Sequence, residues 1–304
     1  MPETIVPYLD LRALAAMSHL RFSARQMIDG SYSGRHRSHQ HGGGGEFVDY
    51  REYSAGEDLR RLDWKVLGRT GRPYVRLYQD ETNLLCTACL DVSGSMGFAG
   101  FGLGPPSHRQ SKLQFLQYFT AALSYLIASQ QDQVGLAIIG ESLQSYQEPG
   151  STSEHLARLY GQIENLKPRG PSGLAGGLQE LFRRAQRRGV LLLASDFLVD
   201  DLEAVFAQVR LFRHRHWEVV ILHVIHPDEE RLPEGMAYRF VGMEGEGASD
   251  CSPAEVQAFY QERFEAHQAV VRTLALAGGC EYRRVSVAGG YLAALGGFLV
   301  ERTG

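Results

Sequence analysis

The sequence has no uninterrupted apolar run of the ~18–20 residues that a membrane-spanning helix needs. Its N-terminus also lacks the basic-then-apolar layout of a secretory signal peptide. Cysteine is scarce, with four residues in 304, which fits packing roles in a reducing compartment better than a disulfide framework. These absences predict a cytoplasmic protein without a membrane-spanning segment.

Patterns that bind phosphate or nucleic acid are lacking too. Neither G-x-G-x-x-G nor G-x-x-x-x-G-K-[ST] follows a strand-like run, which argues against dinucleotide and P-loop sites. The net charge of −4 offers no basic footprint for nucleic acid. The basic run from Arg183 to Arg188 is better explained as a helix C-terminus capped by Gly189, where cations complement the helix dipole. We therefore expect no nucleic-acid partner.

From residue 83 onward, two patterns alternate regularly. Short apolar runs alternate with longer segments that carry apolar residues at helical spacing. This alternation predicts an α/β fold with a doubly wound, mostly parallel sheet of the Rossmann-like type. The predicted strands are residues 83–90, 134–139, 190–195, 217–224 and 281–287, and the predicted helices begin near residues 113, 151, 172, 201, 252 and 291. Residues 231–250, rich in Glu and Gly, predict a loop or a hairpin insertion.

The chain before residue 83 has a different character. Residues 1–29 carry apolar positions at helical spacing, and residues 46–82 hold short β-prone runs broken by Gly and Pro. Between them lies a polar, glycine-rich loop with His36, His39 and His41. These imidazoles are able to bind a transition metal, but without neighbouring Cys or carboxylates a solvated or partner-facing loop is favoured. We predict two domains, 1–82 with a helix and a small strand-rich unit, and 83–304.

A pattern of hard oxygens follows the predicted strands. Asp91, Ser93 and Ser95 form D-x-S-x-S directly after the run 83–90, while Ser172 precedes a helix and Asp196 ends the run 190–195. Because the carboxyl ends of parallel strands meet at one edge of a sheet, we expect these side chains to converge. Carboxylate and hydroxyl oxygens suit Mg²⁺ or Mn²⁺. The sequence therefore predicts a metal site made of these five residues.

This arrangement resembles the metal-ion-dependent adhesion site of von Willebrand factor A (vWA) domains, with Ser172 standing where Thr is usual. The resemblance implies that Ser93, Ser95 and Ser172 bind the ion directly or through water. It implies that Asp91 and Asp196 hold ligands or waters from a second position. A non-enzymatic, metal-dependent protein-binding module follows, in which an acidic side chain of a protein ligand replaces an exchangeable water.

A second resemblance lies upstream. Residues 46–53 (EFVDYREY), 56–60 (GEDLR), 63–64 (DW) and 69–75 (RTGRPYV) resemble the DUF58 family, which places this segment before a vWA-like domain. The resemblance implies partnership with a MoxR-type AAA+ ATPase, with this chain acting as an adaptor in the assembly or activation of other proteins. The charged residues of the segment are interpreted as structural, namely Asp58, Arg60, Asp63 and Arg69.

A serine hydrolase is the main alternative. Ser93-Gly94-Ser95-Met96-Gly97 departs from the G-x-S-x-G elbow only at its first position, and Asp196 followed by His223 or His226 gives the chain order of α/β-hydrolases. The missing first Gly counts against it, because the elbow is a strained turn that needs a tiny residue. Asp91 would also have no role. An aspartyl phosphoryl-transfer site of the D-x-D type would need Asp in place of Ser93.

Overall fold

The computed structural model describes residues 9–23, 46–54, 62–79, 84–102, 110–185, 187–235 and 237–303. The chain divides into two compact units, one formed by Met1–Arg25 with Leu85–Gly304 and the other by Gln26–Leu84. We call them the large unit and the small unit. The predicted histidine loop, together with Asp58 and Arg60, lies outside the described residues.

The N-terminal helix α1 (Leu11–Ala16) belongs to the large unit. Leu14 is fully buried, and the ring of Phe22 lies 5.8 Å from that of Phe298 near the other end of the chain. The Arg302 guanidinium donates to the carbonyl oxygen of Ser23 at 2.6 Å. The predicted division at residue 82 placed this helix with the small unit. In the structure, packing and hydrogen bonds near Arg302 group it with the large unit instead.

The small unit contains β1 (Glu46–Glu52), α2 (Trp64–Thr70) and β2 (Tyr74–Gln79), and the two strands pair antiparallel. Asp63 caps α2: its Oδ1 accepts hydrogen bonds from the backbone N–H groups of Lys65 at 2.9 Å and Val66 at 3.2 Å. Its Oδ2 accepts a third from the Tyr50 hydroxyl at 3.1 Å. Asp63 is therefore structural, as the sequence predicted. The helix was not predicted.

A six-stranded sheet forms the centre of the large unit, with the strand order β10-β7-β6-β3-β4-β5. All neighbouring pairs are parallel except β4 and β5. The chain leaves β3 towards β4 on one side and returns to β6 on the other, so the direction of winding reverses at β3, where open α/β sheets form a crevice. The strands are β3 (Leu85–Asp91), β4 (Gln133–Ile139), β5 (Leu143–Gly150), β6 (Val190–Ser195), β7 (Glu218–Ile225) and β10 (Glu281–Ser286).

Helices accompany this sheet as the predicted alternation required, and the predicted fold class is confirmed. They are α3 (Lys112–Ser129), α4 (Ser153–Glu164), α5 (Leu174–Arg184), α6 (Leu202–His214), α7 (Pro253–Ala277) and α8 (Gly290–Thr303). Within the described part of the chain, no helix is both long and apolar enough to cross a bilayer.

The burial of the strands at the centre of the sheet explains why their sequences are apolar. Every residue of β3, β6 and β7 is buried, because helices cover both faces of a parallel sheet, and such strands read as continuous apolar runs. Cys86 and Cys89 lie in β3 as buried free thiols, and burial raises the pKa of Cys86 to about 12. Residues three apart in a strand face opposite sides, so this C-x-x-C holds neither a disulfide nor a shared metal.

Three local predictions need correction. The edge strand β5 was not predicted, because half-exposed polar residues dominate it and Pro149 is tolerated only at an edge. The helix predicted to begin near residue 151 begins at Ser153, where Thr152 caps α4 by accepting from the N–H of His155 at 3.2 Å. Gly189 is not a helix cap, since α5 ends with Ala185 as its C-cap residue. A Cβ at Gly189 would instead collide with the carbonyl oxygen of Leu85.

The predicted insertion is a hairpin of two short strands, β8 (Tyr238–Val241) and β9 (Ala248–Cys251), which pair antiparallel. Residues 242–247 connect them and are called the hairpin tip. The N–H of Gly242 donates to the carbonyl oxygen of Gly247 at 2.7 Å and closes the tip. Gly245 and Gly247 have φ angles of 101° and 96°, which residues other than glycine rarely adopt.

Candidate functional site

The five predicted site residues come together at the carboxyl edge of the sheet. Asp91 is the last residue of β3, and Asp196 directly follows β6 on the neighbouring strand. Ser93 and Ser95 lie in the loop after β3, which continues as a 3-10 turn at Gly94–Gly97. Ser172 lies in the loop before α5. The crevice where the winding reverses thus receives oxygens from three loops.

Hydrogen bonds link these side chains to one another. Asp91 Oδ1 accepts from the Ser93 N–H at 2.9 Å, and its Oδ2 is 3.4 Å from the donating hydroxyl of Ser172. The hydroxyls of Ser93 and Ser95 are 3.2 Å apart, and the Ser95 side chain also bonds Asp196. Adjacent ligands of an octahedral Mg²⁺ with bonds of about 2.1 Å lie about 3 Å apart. The 3.2 Å between the Ser93 and Ser95 hydroxyls therefore fits two adjacent ligands of such an ion.

Backbone hydrogen bonds hold two of these loops in register. The N–H of Gly94 donates to the carbonyl oxygen of Gly170 at 2.8 Å, and the N–H of Arg169 donates to that of Val92 at 2.9 Å. These reciprocal bonds join the D-x-S-x-S loop to the loop that carries Ser172. The positions of the hydroxyls are thus fixed by main-chain contacts rather than by side-chain packing alone.

The two aspartates differ in their electrostatic surroundings. Burial and then the nearby charge of Asp196 raise the pKa of Asp91 to about 6, although hydrogen bonds from Ser195 and Ser93 oppose this. The Ser195 hydroxyl donates to Asp91 Oδ2 at 2.7 Å. Burial also acts to raise the pKa of Asp196, but the Lys112 ammonium outweighs it and holds that pKa below the usual range. Asp91 is therefore the less compensated of two buried carboxylates.

Lys112 is the first residue that the sequence analysis missed. It opens α3, is fully buried, and its Nζ lies 2.6 Å from Asp196 Oδ2 while also pairing with the carboxylate of Glu229. The second oxygen of Glu229 accepts the N–H of His226 at 2.7 Å. A signal was present in the sequence, because Lys112 shares its helical face with an apolar stripe that includes Phe115. A lysine on a buried stripe indicates an internal acidic partner.

Glu244, in the hairpin tip, was also missed. Its Oε1 accepts the backbone N–H of Ser95 at 3.1 Å, and its Oε2 accepts that of Ser172 at 3.1 Å. One carboxylate thus bridges the main chains of two predicted site residues on different loops. No pattern in residues 231–250 identified which of its acidic residues would reach the site.

Among the described residues, no group of three or more His, Cys, Asp or Glu side chains is placed to hold a metal ion. The predicted site is of a different kind, since three of its five side chains are serine hydroxyls. It lacks the nitrogen and sulfur ligands that favour zinc, and hydroxyl and carboxylate oxygens favour Mg²⁺ or Mn²⁺.

The structure does not support the hydrolase alternative. His223 Nδ1 bonds the Tyr282 hydroxyl at 2.9 Å, and its ring also bonds the backbone of Asp196. Burial lowers the pKa of His223 to about 3, so it is a poor proton acceptor at neutral pH. The carboxylate of Asp196 pairs with Lys112 instead of orienting an imidazole. His223 is therefore not placed to act as the base that a Ser95 nucleophile would need.

We accordingly expect a serine-directed fluorophosphonate probe to leave Ser95 unlabelled. Mass spectrometry of the peptide that carries Ser95 measures the result, with an active serine hydrolase in the same tube as the labelling control. Stoichiometric labelling of Ser95 that disappears in His223→Ala would contradict this expectation and restore the hydrolase.

A protein-family model described as "Protein of unknown function DUF58" matches residues 49–271. An uncharacterized protein of Mycobacterium tuberculosis (strain H37Rv) is 28% identical over 235 residues, covering 74% of this chain and 69% of that protein. An uncharacterized protein of Mycobacterium bovis matches with the same identity and coverage. The match covers residues 49–84 of the small unit and most of the large unit.

Three solved structures are similar to this chain. BatB from Bacteroides thetaiotaomicron is 15% identical with a TM-score of 0.45, covering 71% of this chain and 97% of that one. The SpRpn10 VWA domain is 13% identical with a TM-score of 0.40, at 70% and 93% coverage. Manganese-loaded TRAP protein from Plasmodium vivax is 14% identical with a TM-score of 0.39, at 72% coverage of each chain.

Proposed function

Given that this chain belongs to the DUF58 family, we propose that it is a non-enzymatic, metal-dependent protein-binding module. The proposed ion is Mg²⁺ or Mn²⁺, and the side chains that hold it are Asp91, Ser93, Ser95, Ser172 and Asp196. The ligand is an acidic side chain of a partner protein. The proposed partner is a MoxR-type AAA+ ATPase, for which this chain acts as an adaptor.

One observation carries the metal proposal, namely the environment of Asp91. Its carboxylate is fully buried, and its hydrogen bonds come from neutral donors, the N–H of Ser93 and the hydroxyls of Ser172 and Ser195. Asp196, by contrast, already has the Lys112 ammonium. A buried carboxylate is costly unless a cation compensates it, and the nearby hydroxyls of Ser93, Ser95 and Ser172 supply further oxygens for such a cation.

The chemistry of the site favours binding over catalysis. When bound, the ion supplies a positive charge and an exchangeable coordination position that a carboxylate can take. Ser93, Ser95 and Ser172 contribute neutral oxygens, so the site keeps residual positive charge. Asp91 and Asp196 orient the hydroxyls and any waters from behind. The described residues place neither a nucleophile with its base nor a general acid beside these oxygens, which supports a role in recognition.

The identity of the partner rests on the resemblance of residues 46–75 to the segment that DUF58 proteins carry before a vWA-like domain. Such proteins are associated with MoxR-type ATPases. We infer that the adaptor presents its oxygen-lined crevice to an acidic residue of the ATPase or of the protein that the ATPase remodels.

Calorimetric titration with Mn²⁺ and Mg²⁺ tests the metal proposal. Asp91→Ala and Ser93→Ala should lose binding, because each removes an oxygen from the centre of the set, while Ser172→Ala should weaken binding less. Asp200→Ala is the matched control, since it removes an exposed carboxylate near the same sheet edge. Circular dichroism checks that each variant folds. Wild-type affinity in both Asp91→Ala and Ser93→Ala would show that the ion, if any, binds elsewhere.

A further inference from the structure

The β8–β9 hairpin is unusual because an acidic side chain, rather than an apolar one, points into the crevice. Val241 and Met243 are apolar, yet 68% and 45% of their surfaces are exposed. Glu244, next to Met243, is more buried than either and reaches the crevice with its carboxylate. This hairpin leaves much of its apolar surface exposed while a half-buried acidic side chain points into the crevice, so apolar packing is a weak source of its position. The carboxylate contact must contribute to its position.

That contact is specific in geometry. The two oxygens of Glu244 accept from the N–H groups of Ser95 and Ser172, both at 3.1 Å. Paired hydrogen bonds to an ionised acceptor are stronger and more directional than those between neutral groups. The two amides belong to different loops, so together they form a receptor for the two oxygens of one carboxylate. These are the loops that carry the hydroxyls of the proposed metal site.

The tip is also shaped to fit against the crevice. The N–H of Glu244 donates to Glu246 Oε2 at 2.9 Å, which fixes the turn behind the inward-pointing side chain. The main chain at Met243 lies so close to Gly94 that a Cβ on this glycine would collide with the Met243 carbonyl oxygen. At its base, the ring of Phe240 meets that of Phe101 edge-on at 6.0 Å. Glycine at position 94 therefore permits the docking of the tip.

We propose that Glu244 is a built-in competitor for the carboxylate-binding position of the crevice, so that an acidic partner binds only by displacing the hairpin tip. This inference rests on the proposed function, because it takes the acidic partner from there. The amides of Ser95 and Ser172 are able to bind the carboxylate of Glu244 or that of a partner. The internal competitor and the partner's residue therefore belong to the same chemical class.

The tether gives the internal carboxylate a large advantage over isolated acids. A group joined to its site by a short linker acts at an effective concentration in the millimolar range. A free carboxylate or a single surface glutamate of an unrelated protein therefore competes poorly. A true partner must therefore add contacts of its own outside the displaced tip. The apparent affinity for the partner is lower when a smaller fraction of the chains has the tip displaced.

Amide exchange in the metal-free, full-length chain tests the contact. In Glu244→Gln, the backbone amides of Ser95 and Ser172 should exchange with solvent about tenfold faster, because a neutral acceptor replaces an ionised one. Gly94→Ala keeps Glu244 but obstructs the tip, so exchange at Ser172 should rise there too. Asp250→Asn is the matched control, with the same charge change on the exposed part of the hairpin. Unchanged exchange in Glu244→Gln would overturn the proposal.

Competition is tested with a labelled peptide that repeats residues 240–248, titrated in Mg²⁺ by fluorescence anisotropy. Glu244→Ala should bind it at least about tenfold more tightly than the wild type, since one charge-assisted contact no longer has to be displaced. Asp250→Asn should match the wild type, and a peptide with Gln for Glu244 should bind neither. Equal affinity of wild type and Glu244→Ala, or binding to neither, would overturn the competition.

These outcomes separate the two proposals. The exchange experiment contains no metal, so its result does not depend on the metal site. If Asp91→Ala leaves Mn²⁺ binding unchanged while Glu244→Gln still accelerates exchange, the metal proposal fails and the carboxylate contact stands. If Asp91→Ala abolishes Mn²⁺ binding while the affinity of the peptide is the same for the wild type and Glu244→Ala, the metal proposal stands and the competitor proposal fails.

Discussion

Replacing Lys112 with alanine should lower the free energy of unfolding of the large unit by about 3–5 kcal/mol, the usual cost of removing one partner from a buried ion pair. The Lys112 ammonium is fully buried between Asp196 and Glu229, whose side chains are 3% and 13% exposed. Without it, two carboxylates would remain in a low-dielectric interior without their cation. Lys112→Met should lose nearly as much, because it keeps the aliphatic stem but not the charge.

Urea unfolding followed by tryptophan fluorescence measures this loss. Trp217 is buried in the large unit, whereas Trp64 is 62% exposed in the small unit, so a Trp64→Phe background makes the signal report on the large unit alone. Arg184→Ala is the matched control, since it breaks an exposed ion pair with Glu180 and should cost less than about 1 kcal/mol. If Lys112→Met unfolds no more easily than Arg184→Ala, the buried pair contributes little and the electrostatic account of Asp196 is wrong.

Binding of the proposed partner, a MoxR-type AAA+ ATPase, should weaken about ten- to hundredfold when Mg²⁺ is replaced by EDTA. The proposed ion is the anchor for the partner's carboxylate, and without it that carboxylate keeps only hydrogen bonds to neutral donors of the crevice. A charge-assisted contact of this kind contributes roughly 1.5–3 kcal/mol. Surface plasmon resonance in the two buffers measures the difference.

Two variants serve as controls for this second experiment, one inside the proposed metal site and one outside it. Asp91→Ala should make binding insensitive to EDTA at the weakened level, whereas Asp200→Ala should behave as the wild type does. Equal affinity in Mg²⁺ and EDTA, or binding untouched by Asp91→Ala, would place the ATPase elsewhere. The small unit, with its exposed Trp64, is then the surface to test.

The parts of the fold that sequence reasoning predicted are those in which local pattern and tertiary environment agree. The strands buried on both faces, such as β3, β6 and β7, are continuous apolar runs, so they were predictable. The edge strand β5 is half exposed and polar, and its strand character comes from pairing with β4 rather than from its own residues. The sequence of residues 143–150 does not by itself predict that pairing.

The candidate site divides in the same way. The convergence of Asp91, Ser93, Ser95 and Asp196 could be predicted because they follow strand ends, and the ends of parallel strands share an edge. Ser172 lies instead in the loop between α4 and α5, so it does not follow a strand end. Lys112 and Glu244 were missed because their roles depend on approaches between segments 84 and 149 residues apart in the sequence. A charged residue at an apolar helix position signals an unknown partner, but only the folded chain says which carboxylate meets it. For a glutamate in a Glu-rich turn even that signal is absent.

The hydrogen bonds between Arg302 and Ser23 join residues 279 positions apart. The same guanidinium pairs with the carboxylates of Glu218 and Glu281, so it completes two strands as well as fixing the N-terminal segment. During synthesis, none of these contacts can form until the ribosome has passed residue 302. Until then, the N-terminal segment lacks these hydrogen bonds, and Glu218 and Glu281 lack their ion pairs with Arg302. Folding of the large unit is thus expected to include a slow closing phase set by long-range contact formation.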